Sequence, residues 1–102
     1  MELNIDYWPE ILQVIPTDDY KVYLYFNDGY IRLYDASDLV QKGIFKQLQE
    51  NNLFVETCTV INHTLAWTPD RSYREDNCLD LDPVVLYKTC PIVEEPLHLF
   101  NL

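Results

Sequence analysis

Metal binding is the first chemistry to look for in this sequence, because histidine, cysteine and clustered carboxylates are the usual ligands. His63 and His98 are far apart in the chain, and neither belongs to an HxxxH or HExxH motif. The three cysteines, Cys58, Cys78 and Cys90, lack the CxxC spacing of zinc sites. The sequence also has no glycine-rich phosphate loop, so we expect neither a metal nor another cofactor.

Nucleophilic catalysis needs a serine, threonine or cysteine beside a general base and an orienting group. Ser37 lies in a predicted helix cap, and Ser72 lies in a predicted loop. Cys58 is predicted to face inward beside Trp67, as a small buried hydrophobic residue. Paired carboxylates can be found in any chain with 17 acidic residues, so they indicate little. The sequence therefore predicts that the protein is not an enzyme, and an enzyme with an unrecognised site is the weakest alternative.

A β-hairpin is the clearest local signal in the chain. Two runs rich in strand-forming residues, 20–26 and 30–34, flank Asp28-Gly29, a preferred pair for a two-residue type I′ turn. With this pair at the turn, Phe26 faces Ile31 and Leu24 faces Leu33, so one side of the hairpin is apolar. On the other side, Tyr25 faces Arg32 and Tyr23 faces Tyr34.

The second face of this hairpin is the predicted protein-binding site, which consists of Tyr23, Tyr25, Tyr30, Arg32 and Tyr34. Tyrosine and arginine are enriched at interfaces because each combines a large contact area with a polar end. One alternative is that another strand or a helix covers this face, which would make the tyrosines part of the core edge. Another alternative is a homodimer that forms through the same face.

The elements that would position this face predict an α+β fold. We expect a small mixed or antiparallel β-sheet built from hairpins, with one broken helical segment and a short C-terminal helical turn. A strand over 11–15 precedes the hairpin. Residues 39–48 have apolar positions at helical spacing, interrupted by Gly43, and the helical segment is predicted to end near 51–52.

A second hairpin is predicted from a strand over 53–61 that turns at Asn62-His63 into a strand over 64–67. Asparagine and histidine tolerate the positive φ that a two-residue turn requires. This turn gives two facing pairs, which are Val60 with Leu65 and Cys58 with Trp67.

The last third of the chain is predicted to contain a surface loop, a helical turn and a tail. The loop covers 68–77, and Asp82-Pro83 is typical of a helix cap followed by its first residue. Residues 1–90 are expected to form a single domain. The proline-punctuated tail, 91–102, is too apolar for a free solvated segment, so we expect it to pack on the body or on a partner.

The net charge of −10 comes from 17 acidic and 7 basic residues, and the acidic excess is spread along the whole chain. So few basic groups cannot form a stripe that displaces counterions from phosphate, so we expect no direct binding of nucleic acid and no membrane binding. A basic protein partner would be attracted, although the charge could serve solubility alone. No signal peptide and no apolar run of about 20 residues is present, which predicts a cytoplasmic protein.

The order of these segments resembles a family of small bacterial proteins known as domain of unknown function 2442. The resemblance covers about residues 10–88, and the matching stretches are 20–29, 33–35, 39–48, Phe54, 65–69, 79–83 and 86–87. It implies a mixed sheet carrying one helical segment and little about chemistry. Members are often encoded beside small toxin-like proteins and are suspected antitoxins, and some carry an added DNA-binding segment. The longer 70–77 loop and the tail of this chain do not resemble a helix-turn-helix.

The leading hypothesis is a non-enzymatic protein-interaction domain, an antitoxin-like neutraliser that occludes a small basic toxin with the Tyr/Arg face. The alternative is an acidic inhibitor that imitates nucleic acid on a DNA- or RNA-binding enzyme. Such a mimic would need to align its carboxylates on one face, namely Asp18, Asp19, Asp28, Asp70, Glu75, Asp76, Asp80 and Asp82.

Overall fold

The computed structural model describes residues 7–96, which form two antiparallel β-sheets and several short helices. In chain order the strands are β1 Ile11–Pro16, β2 Lys21–Phe26, β3 Ile31–Asp35, β4 Cys58–Ile61, β5 Thr64–Trp67, β6 Leu79–Asp80 and β7 Ile92–Val93. The first sheet has the order β1-β2-β3-β7, and the second has the order β4-β5-β6. This arrangement confirms the α+β prediction.

The helical segment is broken where the sequence predicts a break. Two 3₁₀ helices, Leu39–Gln41 and Gly43–Gln49, are separated by Lys42, whose backbone is extended with φ −122° and ψ 131°. Gly43 has φ +50°, a conformation that glycine adopts without the Cβ clash of other residues. The segment therefore changes direction at the one glycine that interrupts its apolar spacing.

The predicted strand over 53–61 is wrong in its first half, because Leu53–Glu56 is a helical turn, α1. Asn51 and Asn52 take left-handed conformations with φ of +53° and +59°, and they turn the chain into this helix. Phe54 is 1% exposed and fills the core from the helical conformation. A short apolar run can fit a strand or a buried helix equally well, so its spacing alone could not decide between them.

The turn between β2 and β3 contains one residue more than predicted. The Phe26 amide donates to the Tyr30 carbonyl at 3.1 Å, and the Gly29 amide donates to the Phe26 carbonyl at 3.1 Å. The loop is therefore Asn27-Asp28-Gly29, and within it only Gly29 has a positive φ, of +88°. This pattern fits a type I turn closed by a bulge, whereas a type I′ turn needs positive φ at Asp28 as well.

The additional loop residue changes the pairing of the two strands by one position. The observed pairs are Val22 with Tyr34, Tyr23 with Leu33, Leu24 with Arg32, and Tyr25 with Ile31. A shift of one residue moves every side chain of one strand to the opposite face of the sheet. Arg32 and Tyr34 therefore share a face with the buried Leu24, and the predicted pairs Tyr25–Arg32 and Tyr23–Tyr34 are wrong.

The β4–β5 hairpin has the predicted turn and the predicted register. Asn62 and His63 have φ of +53° and +64°, which are the signs that a type I′ turn requires. The observed pairs include Cys58 with Trp67 and Val60 with Leu65, as predicted.

Trp67 lies at the centre of the core with no exposed surface. Its Nε1 donates to the Phe54 carbonyl at 3.1 Å, and the two ring centroids are 5.4 Å apart. The two sheets meet where the Ile11 amide of β1 donates to the His63 carbonyl at 2.8 Å. The core thus lies between the second sheet, the helical segment and one face of the first sheet.

The last described segment returns the chain to the first sheet. The predicted helical turn is α2, Pro83–Thr89, and the Asp82 carboxylate caps it by accepting from the Val84 amide at 2.9 Å. β7 then pairs with β3. The tail predicted over 91–102 is described as far as Pro96, and residues 97–102 lie outside the described residues. No helix within residues 7–96 is long and apolar enough to cross a membrane.

Candidate protein-interaction surface

The first sheet has one face that belongs to the core and one that does not. The side chains of β2 alternate, so that Val22, Leu24 and Phe26 are buried, while Tyr23 and Tyr25 point to the other side. We call that other side the outer surface, and its apolar and aromatic members are Ile15, Tyr23, Tyr25, Ile31, Leu33 and Val93. None of these six residues belongs to the packed core cluster.

Tyr25 is the member of the outer surface with the best-defined polar contact. Its hydroxyl donates to the Glu95 carboxylate at 2.6 Å. Partial burial, together with this carboxylate, raises the pKa of Tyr25 to about 12. In register the neighbour of Tyr25 is Ile31, which pairs with Val93 on its far side and is only 9% exposed. The aromatic and apolar part of the surface is therefore tied to the segment that follows β7.

The end of the outer surface beside the β1–β2 turn is charged. Lys21 pairs in register with the exposed Asp35, and its ammonium lies 3.0 Å from the Asp19 carboxylate. Hydrogen bonds from the Thr17 hydroxyl and the Lys21 ammonium lower the pKa of Asp19. Hydrogen bonds from Ser37 lower the pKa of Asp35. Both carboxylates are therefore ionised at neutral pH, and they give this end of the surface a negative rim.

Arg32, which was predicted to belong to the binding face, is instead a structural cation on the core side of the sheet. Its guanidinium carbon lies 4.3 Å from the centroid of the Tyr87 ring of α2, and its Nη1 donates to the Cys90 carbonyl at 2.7 Å. Its Nε is buried and has no hydrogen-bond partner among the described residues. Arg32 thus holds α2 against the sheet through a cation–π contact and a hydrogen bond.

Tyr34 and Tyr30 are also separated from the outer surface. Tyr34 packs against the core cluster, and burial raises its pKa. Tyr30 lies at the turn and is 56% exposed. The five predicted residues therefore do not share one face: Tyr23 and Tyr25 lie on the outer surface, whereas β3 turns Arg32 and Tyr34 inward. The sequence analysis missed Ile15 as a member of this surface, because only the pairing of β1 with β2 places it beside Tyr23.

Two aromatic residues missed by the sequence analysis organise the region around Arg32. Tyr87 donates its hydroxyl to the Asp28 carboxylate at 3.0 Å, and its ring lies 5.4 Å from that of Tyr7. The Tyr7 hydroxyl donates to Asn27 Oδ1 at 2.7 Å, and burial together with nearby charge raises the pKa of Tyr7 to about 12. These residues are far apart in sequence, so no local motif could indicate the cluster.

The other candidate chemical groups are dispersed. Burial raises the pKa of the Cys58 thiol to about 12, and burial also raises the pKa of Cys90. The His63 Nδ1 lies 4.0 Å from the Glu10 carboxylate at the edge of a turn, and His98 lies outside the described residues. Within residues 7–96 no group of three or more histidine, cysteine or acidic side chains is arranged to hold a metal ion.

The carboxylates that a nucleic-acid mimic would need are distributed over several turns and loops. Asp18 and Asp19 lie in the turn before β2, and Asp28 lies in the turn after it. Because a strand of this length spans about 17–20 Å, these carboxylates are at opposite ends of the sheet. Asp70 and Asp76 lie in the loop after β5, where Asp76 is paired with Arg74 at 3.0 Å.

Comparison with known proteins gives one finding. A family model described as "Protein of unknown function (DUF2442)" matches residues 11–91, which include every described strand of both sheets except β7. Neither the curated proteins nor the solved structures contain a match.

Proposed function

The chain belongs to the DUF2442 family, and on that premise we propose that it is a non-enzymatic protein-interaction domain, antitoxin-like, that neutralises a small basic protein. The outer surface of the first sheet would make the contact. The family description names no activity, so the proposal depends on the properties of this surface.

The observation that carries the proposal is the apolar and aromatic character of a sheet face that lies outside the core. Tyr23 and Tyr25 are flanked by Ile15 and Leu33, and all four are only partly buried. Contiguous apolar patches on a protein surface commonly mark interaction sites. Tyrosine suits the centre of such a site, because its ring can be buried while its hydroxyl still finds a hydrogen-bond partner.

Charge supports a basic partner. The ionised Asp19 and Asp35 lie at one end of the outer surface, and Glu95 lies at the other. The chain as a whole carries a net charge of −10, which speeds the approach of a positively charged protein and discourages wrong partners. A homodimer through this surface would bring two such negative chains together and is therefore less favoured.

The proposal differs from the sequence hypothesis in the residues it uses. Tyr23 and Tyr25 stay at the centre, whereas Tyr30 lies at the β2–β3 turn, outside the outer surface. Arg32 and Tyr34 are assigned to the packing of α2 and the core. The mimic alternative has less support, because two of its carboxylates already have partners within the fold: Asp28 accepts from the Tyr87 hydroxyl, and Asp76 is paired with Arg74.

The test is affinity capture with the full chain from a lysate of the organism that encodes it. The variant Tyr23→Ser/Tyr25→Ser removes two rings from the outer surface. The matched control Tyr30→Ser/Tyr73→Ser removes two rings that are 56% and 52% exposed elsewhere. We expect a basic protein to be retained by the wild type and the control and to be lost from the outer-surface variant. Equal retention by both variants would contradict the proposal.

Two further measurements separate the alternatives. Raising the salt from 0.1 M to 1 M shortens the Debye length from about 10 Å to about 3 Å, which would release the partner of a charge mimic. A contact that buries aromatic rings should survive this change. The antitoxin-like role also requires that the captured protein slows growth when produced alone and not when produced with the wild-type chain. A harmless partner would overturn that role.

A further inference from the structure

We propose that this protein binds an extended, basic peptide segment of a partner by strand addition at the open edge of β3. The site is a cavity of about 380 Å³, the edge cavity, which lies between residues 33–35 of β3 and residues 89–91, where α2 ends. This volume is within the range of about 300–1,000 Å³ that is usual for ligand pockets. The inference does not rest on the proposed function, because it uses neither Tyr23 nor Tyr25.

The edge is open because β7 is shorter than β3. β3 has five residues, and β7 pairs with only the first two of them. The Leu33 amide still donates to the Pro91 carbonyl at 3.0 Å, but Pro91 has no amide hydrogen to donate in return. Before Pro91 the chain belongs to the end of α2, since the Cys90 amide donates to the Leu86 carbonyl at 3.0 Å. Within residues 7–96, therefore, no strand lies beside the last residues of β3 on this side.

The backbone of β3 directs hydrogen-bonding groups to this open edge. In an antiparallel pair the amide and carbonyl of one residue point to the same side, and successive residues alternate between the two sides. The bond to Pro91 shows that Leu33 faces the β7 side, so Asp35 turns its amide and carbonyl to that side as well. The Leu33 carbonyl also points there. A sheet edge with such groups is a template for another strand.

The edge cavity gives one side chain of the added strand a place to be buried. In strand addition, main-chain hydrogen bonds supply affinity and pockets for alternate side chains supply specificity. Tyr34 points to the core side of β3 and lines the cavity, as does Cys90, which is only 5% exposed. A residue opposite Tyr34 would bring its side chain against this ring and thiol. An apolar side chain suits that position, because its burial removes apolar surface from water.

The neighbouring residue of the added strand would be basic. It would lie opposite Asp35, whose side chain is exposed on the outer side of the sheet. Hydrogen bonds from Ser37 lower the pKa of Asp35, so its carboxylate is ionised at neutral pH. The nearby Lys21 is already engaged, because its ammonium lies 3.0 Å from the Asp19 carboxylate. The occupant is therefore an extended segment in which an apolar residue stands beside a lysine or arginine.

The experiment is the selection of short random peptides, displayed on phage, by the full chain. We expect the selected peptides to contain an apolar residue beside lysine or arginine and to shift the amide signals of Leu33 and Asp35. Thr89→Trp places a large ring in the edge cavity from an exposed position and should abolish their binding. The matched control Val85→Trp places the same ring on α2, at a position that is 53% exposed and does not line the cavity, and should bind like the wild type.

Two results of this selection would overturn the proposal. One is a selection that returns no peptide. The other is a set of peptides that bind Thr89→Trp as tightly as the wild type, because such peptides do not use the edge cavity.

Changes in the peptide test the strand addition itself. A selected peptide is synthesised with a methyl group on one backbone nitrogen at a time, which removes one donor and leaves every side chain in place. We expect at least one position to weaken binding about tenfold, as for the loss of one main-chain hydrogen bond. Unchanged binding at every position would mean contact through side chains alone and would refute strand addition.

Asp35→Asn tests the charge of the occupant, because asparagine can still accept the hydrogen bonds from Ser37. It should weaken a selected peptide by about two- to fivefold, the size of an exposed ion pair. Asp38→Asn, at another exposed carboxylate, is the control and should leave the affinity unchanged. Equal affinities of the two variants would contradict a basic occupant. None of these variants alters Tyr23 or Tyr25, so failure at the edge cavity leaves the proposed function to its own capture experiment.

Discussion

The two hairpins of this protein respond differently to their turn sequences. The β2–β3 hairpin contains Asp28-Gly29, a preferred pair for a two-residue turn, yet it forms a three-residue loop. The β4–β5 hairpin has Asn62-His63, a weaker pair without glycine, and it forms the two-residue turn. The stronger local signal therefore gave the wrong register, and the weaker one gave the right register.

Contacts from distant parts of the chain explain the three-residue loop. Asn27 Oδ1 accepts from the Tyr7 hydroxyl at 2.7 Å and from the Glu10 amide at 3.1 Å, and Asn27 Nδ2 donates to the Trp8 carbonyl at 3.0 Å. Asp28 accepts from the Tyr87 hydroxyl at 3.0 Å. These contacts use Asn27 and Asp28 as loop residues, so Asn27 is not available as a strand residue. A turn pair therefore sets the register only where tertiary contacts agree with it.

The largest expected effect is a difference in stability between a buried position in the β4–β5 hairpin and a partly buried position in the β2–β3 hairpin. Trp67→Ala in β5 should lower the free energy of unfolding by about 3–5 kcal/mol, because it empties a fully buried site. Tyr25→Ala on the outer surface should cost less than about 1 kcal/mol, because the side chain is only partly buried. Urea denaturation of both variants measures the difference. Equal losses would mean that the outer surface is as tightly packed as the core.

The next effect tests the backbone of the two turns. Gly29→Ala should cost about 1–2 kcal/mol, because φ of +88° is unfavourable for a residue with a Cβ. No atom lies within 4 Å of such a Cβ, so the loss would report backbone strain alone. His63→Gly is the control in the other hairpin. It should change stability by less than about 0.5 kcal/mol, because relief of positive-φ strain is offset by chain entropy. A neutral Gly29→Ala would argue against the bulged loop.

The sequence could predict those elements whose periodicity and local chemistry agree. The buried side of β2, the break at Gly43 and the cap at Asp82 are all local, and the structure has them. The conversion of 53–56 from strand to helix depends on Phe54 packing against Trp67, which no local pattern contains. The site was predictable only in part for the same reason. Tyr23 and Tyr25 follow from alternation along β2, whereas Arg32 changes face because Tyr7 and Tyr87 hold the loop.

A smaller effect tests whether the side-chain contacts of Asn27 cause the three-residue loop. Asn27→Ala removes the side-chain contacts with Tyr7, Trp8 and Glu10. We expect a loss of about 1 kcal/mol, because hydrogen bonds at exposed positions contribute modestly. Asn62→Ala in the other turn loses its side-chain contact with Glu75 and places alanine at φ +53°, so it serves as the comparison for effects on β3 only. Amide exchange in β3 should accelerate only in Asn27→Ala, and acceleration in neither variant would remove the explanation for the three-residue loop.

The smallest effect concerns pH, and it reports on Tyr25 in the β2–β3 hairpin and on Tyr7, which contacts its loop; no tyrosine lies in the β4–β5 hairpin. The pKa values of Tyr7 and Tyr25 are raised from 10.0 to about 12. A raised pKa in the folded state means that their contribution to stability is complete below pH 10 and is lost as the pH rises toward 12. Absorbance at alkaline pH should therefore show late ionisation of Tyr7 and Tyr25, and also of Tyr34, whose pKa is raised by burial.

Two variants identify the late ionisation of Tyr25 and measure how far it depends on Glu95, in the segment after β7. Tyr25→Phe should remove one of these late ionisations. Glu95→Gln should lower the pKa of Tyr25 only in part, because burial is the larger cause and the carboxylate the smaller one. A complete return to an ordinary tyrosine pKa in Glu95→Gln would mean that Tyr25 is buried only by that contact. The outer surface would then be defined by the segment that follows β7 and not by the sheet itself.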